Sequence, residues 1–207
     1  MGFPDRAEYS LDDFVGEYAA HVSEGLRGLD RAALGRAVAI LRTATQAGRR
    51  IYACGNGGSA AISDHLACDH LKGVATNTTL RPRVHSLAAN GPLCTAISND
   101  FSYAEVFSYQ VRALGESGDV LIAISSSGNS ENIVAALAAA RERGMRTIAM
   151  VGFDGGRAAG SAEVVLHIKQ HNYGIVEDCH QSIMHILAQF IRLHALDAAS
   201  DVRALKF

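Results

Sequence analysis

Apolar residues at Leu11, Phe14, Val15, Tyr18, Val22, Leu26 and Leu29 recur at steps of three and four, the period of a helix buried along one face. A second helix is predicted from Asp30, its N-cap, to about Gln46, with Gly48 as the stop. Short apolar runs then follow at Arg50–Cys54, Arg83–Leu87, Asp119–Ile124, Arg146–Val151 and Glu163–Ile168. Each is strand length. Asp119–Ile124 is continuously apolar after its first residue, as a strand buried on both faces of a parallel sheet must be. Helical patterns lie between the strands at about 59–72, 102–114 and 130–143, and a long final helix is predicted from about Ile175 to Ala199.

Strands alternating with helices predict an open, parallel α/β sheet covered on both faces. Right-handed crossovers bring every strand C-terminus to one edge, where such sheets bind ligands. The two leading helices either cover the sheet or form a subunit interface. Residues 1–207 show no internal repeat or linker and suit one domain, with a core at about 10–195.

Composition narrows the function classes. Nineteen basic residues against twenty-one acidic ones give a net charge of -2, which argues against a nucleic-acid backbone as the main partner. No apolar run is long enough to span a bilayer. The first ten residues lack a basic segment followed by an apolar one, and Arg6 breaks the myristoylation pattern. Cys54, Cys68, Cys94 and Cys179 form no C-x-x-C pair and are expected to be buried small apolar residues of a reduced, cytoplasmic protein.

Two loops carry the candidate chemistry. Gly55-Asn-Gly-Gly-Ser59 joins a strand to a helix, where glycines admit a close backbone approach and the helix N-terminus offers free N–H groups. Ser59 is expected to be both helix cap and hydroxyl donor. Gly55-x-Gly57-x-x-Ala60 meets the loose dinucleotide fingerprint, but the next strand ends Leu87-Ala-Ala-Asn90, without the acid that motif wants. No Walker Gly-Lys-Ser/Thr is present. The second loop, Ser125-Ser-Ser-Gly-Asn-Ser130, suits a phosphate monoester, or is a serine-rich turn with Ser130 as N-cap. Two such loops at strand ends point together to a sugar phosphate. A third, Gly152-Phe-Asp-Gly-Gly156, is expected to be a plain tight turn. Ser98-Asn99-Asp100 either reaches a sugar hydroxyl or caps the helix beginning near Tyr103.

In order and spacing, Gly55-Asn-Gly-Gly-Ser-Ala-Ala, Ser98-Asn-Asp-Phe, Gly118-Asp-Val-Leu-Ile-Ala-Ile-Ser-Ser-Ser-Gly-Asn-Ser and Gly152-Phe-Asp-Gly-Gly resemble the sugar isomerase (SIS) domain family, closely its phosphoheptose isomerases. The resemblance spans about residues 10–195. It implies a flavodoxin-like three-layer sandwich with a five-stranded parallel sheet, and a homotetramer with active sites near subunit interfaces. It also implies interconversion of sedoheptulose 7-phosphate and D-glycero-D-manno-heptose 7-phosphate, on the way to nucleotide-activated heptose. By position Asn56, Gly57, Gly58, Ser59, Asp100, Ser125, Ser126, Ser127 and Ser130 would hold the substrate.

The same resemblance implies a zinc ion on His65, Asp69, Glu177 and His185, with Glu177 also facing substrate. Two of the four depart from the family pattern: Asp69 stands where Glu is usual, and Glu177 where Gln is. A family aspartate falls on Gly174. On helical spacing alone, His65 and Asp69 share one face, and Glu177 and His185 another. They are then either metal ligands or surface carboxylates with interface histidines. His180 is a possible substitute ligand or a partner of Glu177, and His70 and His171 are weaker candidates. An isomerase of this type moves a proton between adjacent carbons through an enediolate, with Asp69 expected as base, His185 as acid partner and zinc polarising the carbonyl. The rival readings are a non-catalytic SIS protein that binds the replication initiator or senses a sugar phosphate, and an isomerase of another sugar phosphate.

Overall fold

In the computed structural model, which describes residues 2–197 and 201–206, five strands form one parallel sheet. They are β1 (Arg50–Gly55), β2 (Arg83–Ser86), β3 (Val120–Ser125), β4 (Arg146–Val151) and β5 (Val164–His167), in the spatial order β2-β1-β3-β4-β5. That is the flavodoxin-like order. Limits of β4 agree with the apolar pattern, β1 and β2 differ by one residue at one end, and β3 and β5 by one residue at each end.

Strand side chains alternate between two cores. Ile51, Ala53, Ile122, Ile124, Ile148 and Met150 face one, and Tyr52, Cys54, Leu121, Ala123 and Ala149 face the other. The first is closed by α1 (Leu11–Arg27), α2 (Arg31–Gln46), α3 (Gly58–Cys68) and α8 (Tyr173–Leu193). The second is closed by α4 (Gly91–Asp100), α5 (Val106–Leu114) and α6 (Glu131–Glu142). The short α7 (Gly156–Ala159) adds Ala158 to it.

Helix starts follow the capping signals. Asp30 accepts from the Ala32 N–H at 2.8 Å, and Ser10 from the Asp13 N–H at 3.1 Å. Tyr18, Val22 and Leu26 of α1 pack on the core, so the leading helices do cover the sheet, while Leu11 and Val15 remain exposed.

Three expectations are corrected. The helix predicted over 59–72 is broken: α3 ends at Cys68 and a π-helical segment, Asp69–Val74, continues it. The pattern at 102–114 resolves into a 3₁₀ turn, Tyr103–Glu105, followed by α5, and Ser98-Asn99-Asp100 closes a separate helix, α4, that the pattern shows only faintly. The final helix stops at Leu193 instead of Ala199, a residue outside those described. Among the described residues no helix is long and apolar enough to cross a membrane.

The chain leaves β1 toward β2 on one side and returns as β3 on the other. The crevice at this reversal lies where β1 and β3 both end, and Gly55 pairs with Ile124 there.

Candidate active site

Both predicted loops open at that reversal. After β1, Gly57 adopts φ +54° and serves as N-cap of α3, so the cap is Gly57 and Ser59 lies in the first helical turn. The backbone turns too tightly there for a larger residue at Gly55, whose missing Cβ would overlap the Ser59 carbonyl. After β3, Gly128 adopts φ +65° and returns its N–H to the Ser125 carbonyl at 3.1 Å. Ser130 caps α6 with its backbone alone, so its hydroxyl is not spent on the helix.

Asn56, Ser59, Ser125, Ser126, Ser127, Ser130, Tyr173 and Glu177 line one small cleft of about 130 Å³. Seven of these eight were legible as loop or ligand positions, and Tyr173 was not. Ser126 Oγ is buried here without a hydrogen-bond partner. A buried hydroxyl left unpaired costs about 1–3 kcal/mol, so it waits for a ligand acceptor. Replacing Ser126 with Ala is expected to leave the ligand-free protein as stable or up to about 1 kcal/mol more stable. Affinity for a sugar phosphate should meanwhile fall about tenfold or more, as loss of a charged hydrogen bond requires. Thermal melting with and without the ligand checks both halves.

Asn56 is fixed by its neighbours. Its amide exchanges two hydrogen bonds of 2.9 Å with buried Asn132, and Tyr103 Oη donates to Asn56 Oδ1 at 2.8 Å. Asp100, expected to face the substrate, is exposed at the end of α4, accepts from Asn99 Nδ2 at 2.9 Å and is not among the residues lining the cleft. Tyr103, three residues on, touches Asn56 of the cleft instead.

Gly152–Gly156 forms the expected tight turn, with Gly155 N–H on the Gly152 carbonyl at 2.8 Å. It also braces the serine loop. Ala158 N–H donates to the Gly128 carbonyl at 2.9 Å, and the Arg157 guanidinium to the Asn129 carbonyl at 2.8 Å.

A second group lies further along α3 and α8. His65, Asp69 and His185 present donor atoms within 4.8 Å of one another. Asp69 Oδ2 lies 2.8 Å from His185 Nδ1, and Oδ1 lies 3.3 Å from His65 Nε2. Two imidazoles and a carboxylate are fitting donors for zinc or a similar divalent ion. Glu177, expected as the fourth ligand, is not in this group. Its carboxylate sits against Gly58, whose hydrogen alone leaves room for it, and lines the serine cleft.

Gln181, which the sequence reading passed over, contacts both histidines: its Nε2 lies 2.8 Å from His65 Nδ1 and 3.0 Å from His185 Nε2. The signal was present, since Gln181 stands four residues after Glu177 and four before His185. At Gly174, the space of the family's aspartate is met by Tyr18 Oη, which donates to Asp178 at 2.7 Å. Burial and that bond push the Tyr18 hydroxyl up to about 12.

His180 lies outside this group and is fully buried, and burial holds it down at about 4. His70 is likewise buried and lowered to about 4. Both are therefore neutral at pH 7, and since His180 is not part of the donor group its substitute-ligand reading is set aside. His171 lies 3.8 Å from Asp154, away from the group.

Comparison with known proteins places this geometry. Residues 16–152 match the SIS domain family model. Phosphoheptose isomerase of Nitratidesulfovibrio vulgaris is 41% identical over 142 residues, covering 69% of this chain and 68% of its own. The solved phosphoheptose isomerase of Neisseria gonorrhoeae superposes with a TM-score of 0.80 at 32% identity, over 88% of this chain and 98% of that one. A phosphoheptose isomerase from Francisella tularensis gives 0.81 at 26% identity, over 90% and 100%.

Proposed function

The chain belongs to the SIS domain family, in its phosphoheptose isomerase branch, and from that premise we propose that it interconverts sedoheptulose 7-phosphate and D-glycero-D-manno-heptose 7-phosphate. One observation carries the reading: the same two helices hold both halves of the site. Ser59 and His65 stand on α3, and Glu177 and His185 on α8. Six residues of helix rise about 9 Å, a distance comparable with the extended carbon chain of a heptose. One ligand thus places its phosphate among Ser59, Ser125, Ser126, Ser127 and Ser130 and its carbonyl end at the His/Asp group. Asn56 lines the serine cleft, and Gly57 and Gly58 open α3 beside Ser59. Glu177 is assigned to the substrate, not to the metal.

Isomerisation needs a base for the carbon-bound proton, an acid to return it and positive charge at the carbonyl oxygen. Asp69 takes the proton. His185, bonded to Asp69 at 2.8 Å, is the partner through which it is exchanged. A zinc ion held at the His65, Asp69 and His185 group would supply the charge on the oxygen. The serine loops spend their binding energy on the remote phosphate and so orient the reacting end. The aldose feeds formation of nucleotide-activated heptose. A cytoplasmic enzyme assembled as a homotetramer fits this role, and exposed Leu11 and Val15 on α1 are apolar surface that such an assembly would cover. A scaffold or sensing role has no use for an Asp69–His185 pair at the far end of the helices that line the cleft.

Proton NMR of the zinc-replete protein with sedoheptulose 7-phosphate in deuterated water tests the proposal. The expected result is a new aldoheptose signal with deuterium on the carbon next to the carbonyl. Saturable binding without product or exchange overturns it.

A further inference from the structure

All but one of the hydrogen-bonding positions on the Asn56 amide are taken. Its oxygen has two acceptor sites and its nitrogen two hydrogens. Asn132 Nδ2 donates to Asn56 Oδ1 at 2.9 Å, and Tyr103 Oη donates to the same oxygen at 2.8 Å. One Asn56 Nδ2 hydrogen goes to Asn132 Oδ1 at 2.9 Å. Both acceptor sites are then filled and a single N–H remains. Asn56 lines the serine cleft, so a ligand there meets its side chain as a donor only. The two asparagines do not fix this polarity by themselves, because they would pair equally well with both amides turned over. Tyr103 decides it. A phenol oxygen shares its lone pairs with the ring, so Tyr103 is a better donor than acceptor and selects the amide oxygen.

We infer that Tyr103 is a positioning residue of the serine cleft, whose hydroxyl holds the Asn56 amide with its free N–H, and not its oxygen, available to an anionic ligand. Tyr103 stands on the 3₁₀ turn Tyr103–Glu105, is more than half exposed and is not among the residues lining the cleft. Among the described residues its hydroxyl has Asn56 as its one hydrogen-bond partner. The cleft has need of this donor. No Lys or Arg lines it, and Glu177 brings a carboxylate to it. An Asn56 oxygen would add a second acceptor against a phosphate, whereas an N–H forms a hydrogen bond to a charged oxygen, the stronger kind. This inference rests on the sugar-phosphate reading of the cleft and deepens it.

A double-mutant cycle on the full-length protein tests this by titration calorimetry. The probe is the alditol made by reducing sedoheptulose 7-phosphate, which keeps the phosphate, has no carbonyl and is not turned over. Tyr103→Phe removes one oxygen from a half-exposed ring and is expected to weaken binding about three- to tenfold, the worth of one hydrogen bond. Asn56→Ala should weaken it about tenfold or more, since it removes a bond to a charged group. In the Asn56→Ala background, Tyr103→Phe should change affinity by less than about twofold, because the residue it acts through is gone. The inference is overturned if Tyr103→Phe leaves the affinity of the unaltered chain unchanged. It is equally overturned if the loss persists in the Asn56→Ala background, which would mean that the hydroxyl meets the ligand itself. Should Asn56→Ala fail to fold, judged by circular dichroism, Asn56→Asp decides: it puts an oxygen where the free N–H stood, and undiminished binding overturns the inference. An unaltered chain that does not bind the alditol phosphate overturns the sugar-phosphate reading together with it, whereas binding that is indifferent to Tyr103 overturns this inference alone.

Discussion

Asp69→Asn is expected to lower kcat by about 10²–10⁴-fold, the range that a positioned acid–base group supplies. The substitution keeps size and removes the negative charge and proton affinity. Its effect should fall on the proton transfer and spare the far end of the ligand, because the serine cleft takes no group from Asp69. Affinity for the sugar phosphate should therefore stay within a few-fold. Zinc affinity must be measured alongside, because Asn still accepts from one imidazole and no longer from both. Turnover close to that of the unaltered protein would remove Asp69 as the base. A loss of turnover that excess zinc restores would make it a positioning residue only.

Gly128→Ala carries the largest expected effect on stability. Gly128 sits at φ +65°, where a side chain costs about 1–2 kcal/mol. Its Cβ would also overlap the Gly155 carbonyl, and a Cβ added at Gly156 would in turn lie 2.6 Å from the Gly128 carbonyl carbon. Neither neighbour is a flexible side-chain tip. Overpacking of this kind costs a further 1–3 kcal/mol, so a loss of about 2–5 kcal/mol is expected in urea unfolding. Relief by opening the turn would instead break the Ala158 N–H bond to the Gly128 carbonyl and scatter the serine hydroxyls. The protein would then melt near normally and bind sugar phosphate poorly. A variant with normal stability and normal affinity would refute the close packing of these two turns.

The sequence pattern exposed the sheet because its central strands β1, β3 and β4 are buried on both faces and so read as apolar runs, as at Ile148–Val151. The helix over Gly91–Asp100 was nearly invisible for the opposite reason: Ile97 is its only buried residue, so no periodic face exists to detect. Asn90 as cap and Pro92 in the first turn were the signals available. The break at Asp69 was not legible, because a π-helical turn has the composition of an α-helical one and differs only in which carbonyl each N–H selects. In the site, glycine and serine positions were legible because backbone geometry fixes them locally. Gln181 was passed over because its contact with both His65 and His185 is a fact of three-dimensional hydrogen bonding.

The pairing of Gly55 with Ile124 joins positions 69 residues apart, by the difference of their numbers. No local segment of the chain contains a complete anion cradle. A growing chain released before β3 would carry the first glycine loop and have nothing to close it against, and parallel pairing at such separation is slow to form. Substrate thus binds only molecules that have already aligned β1 with β3 in the correct register, and it shifts the folding equilibrium toward them in proportion to the logarithm of its concentration. In a cell making this protein, the sugar phosphate would act as a folding ligand before it is a substrate.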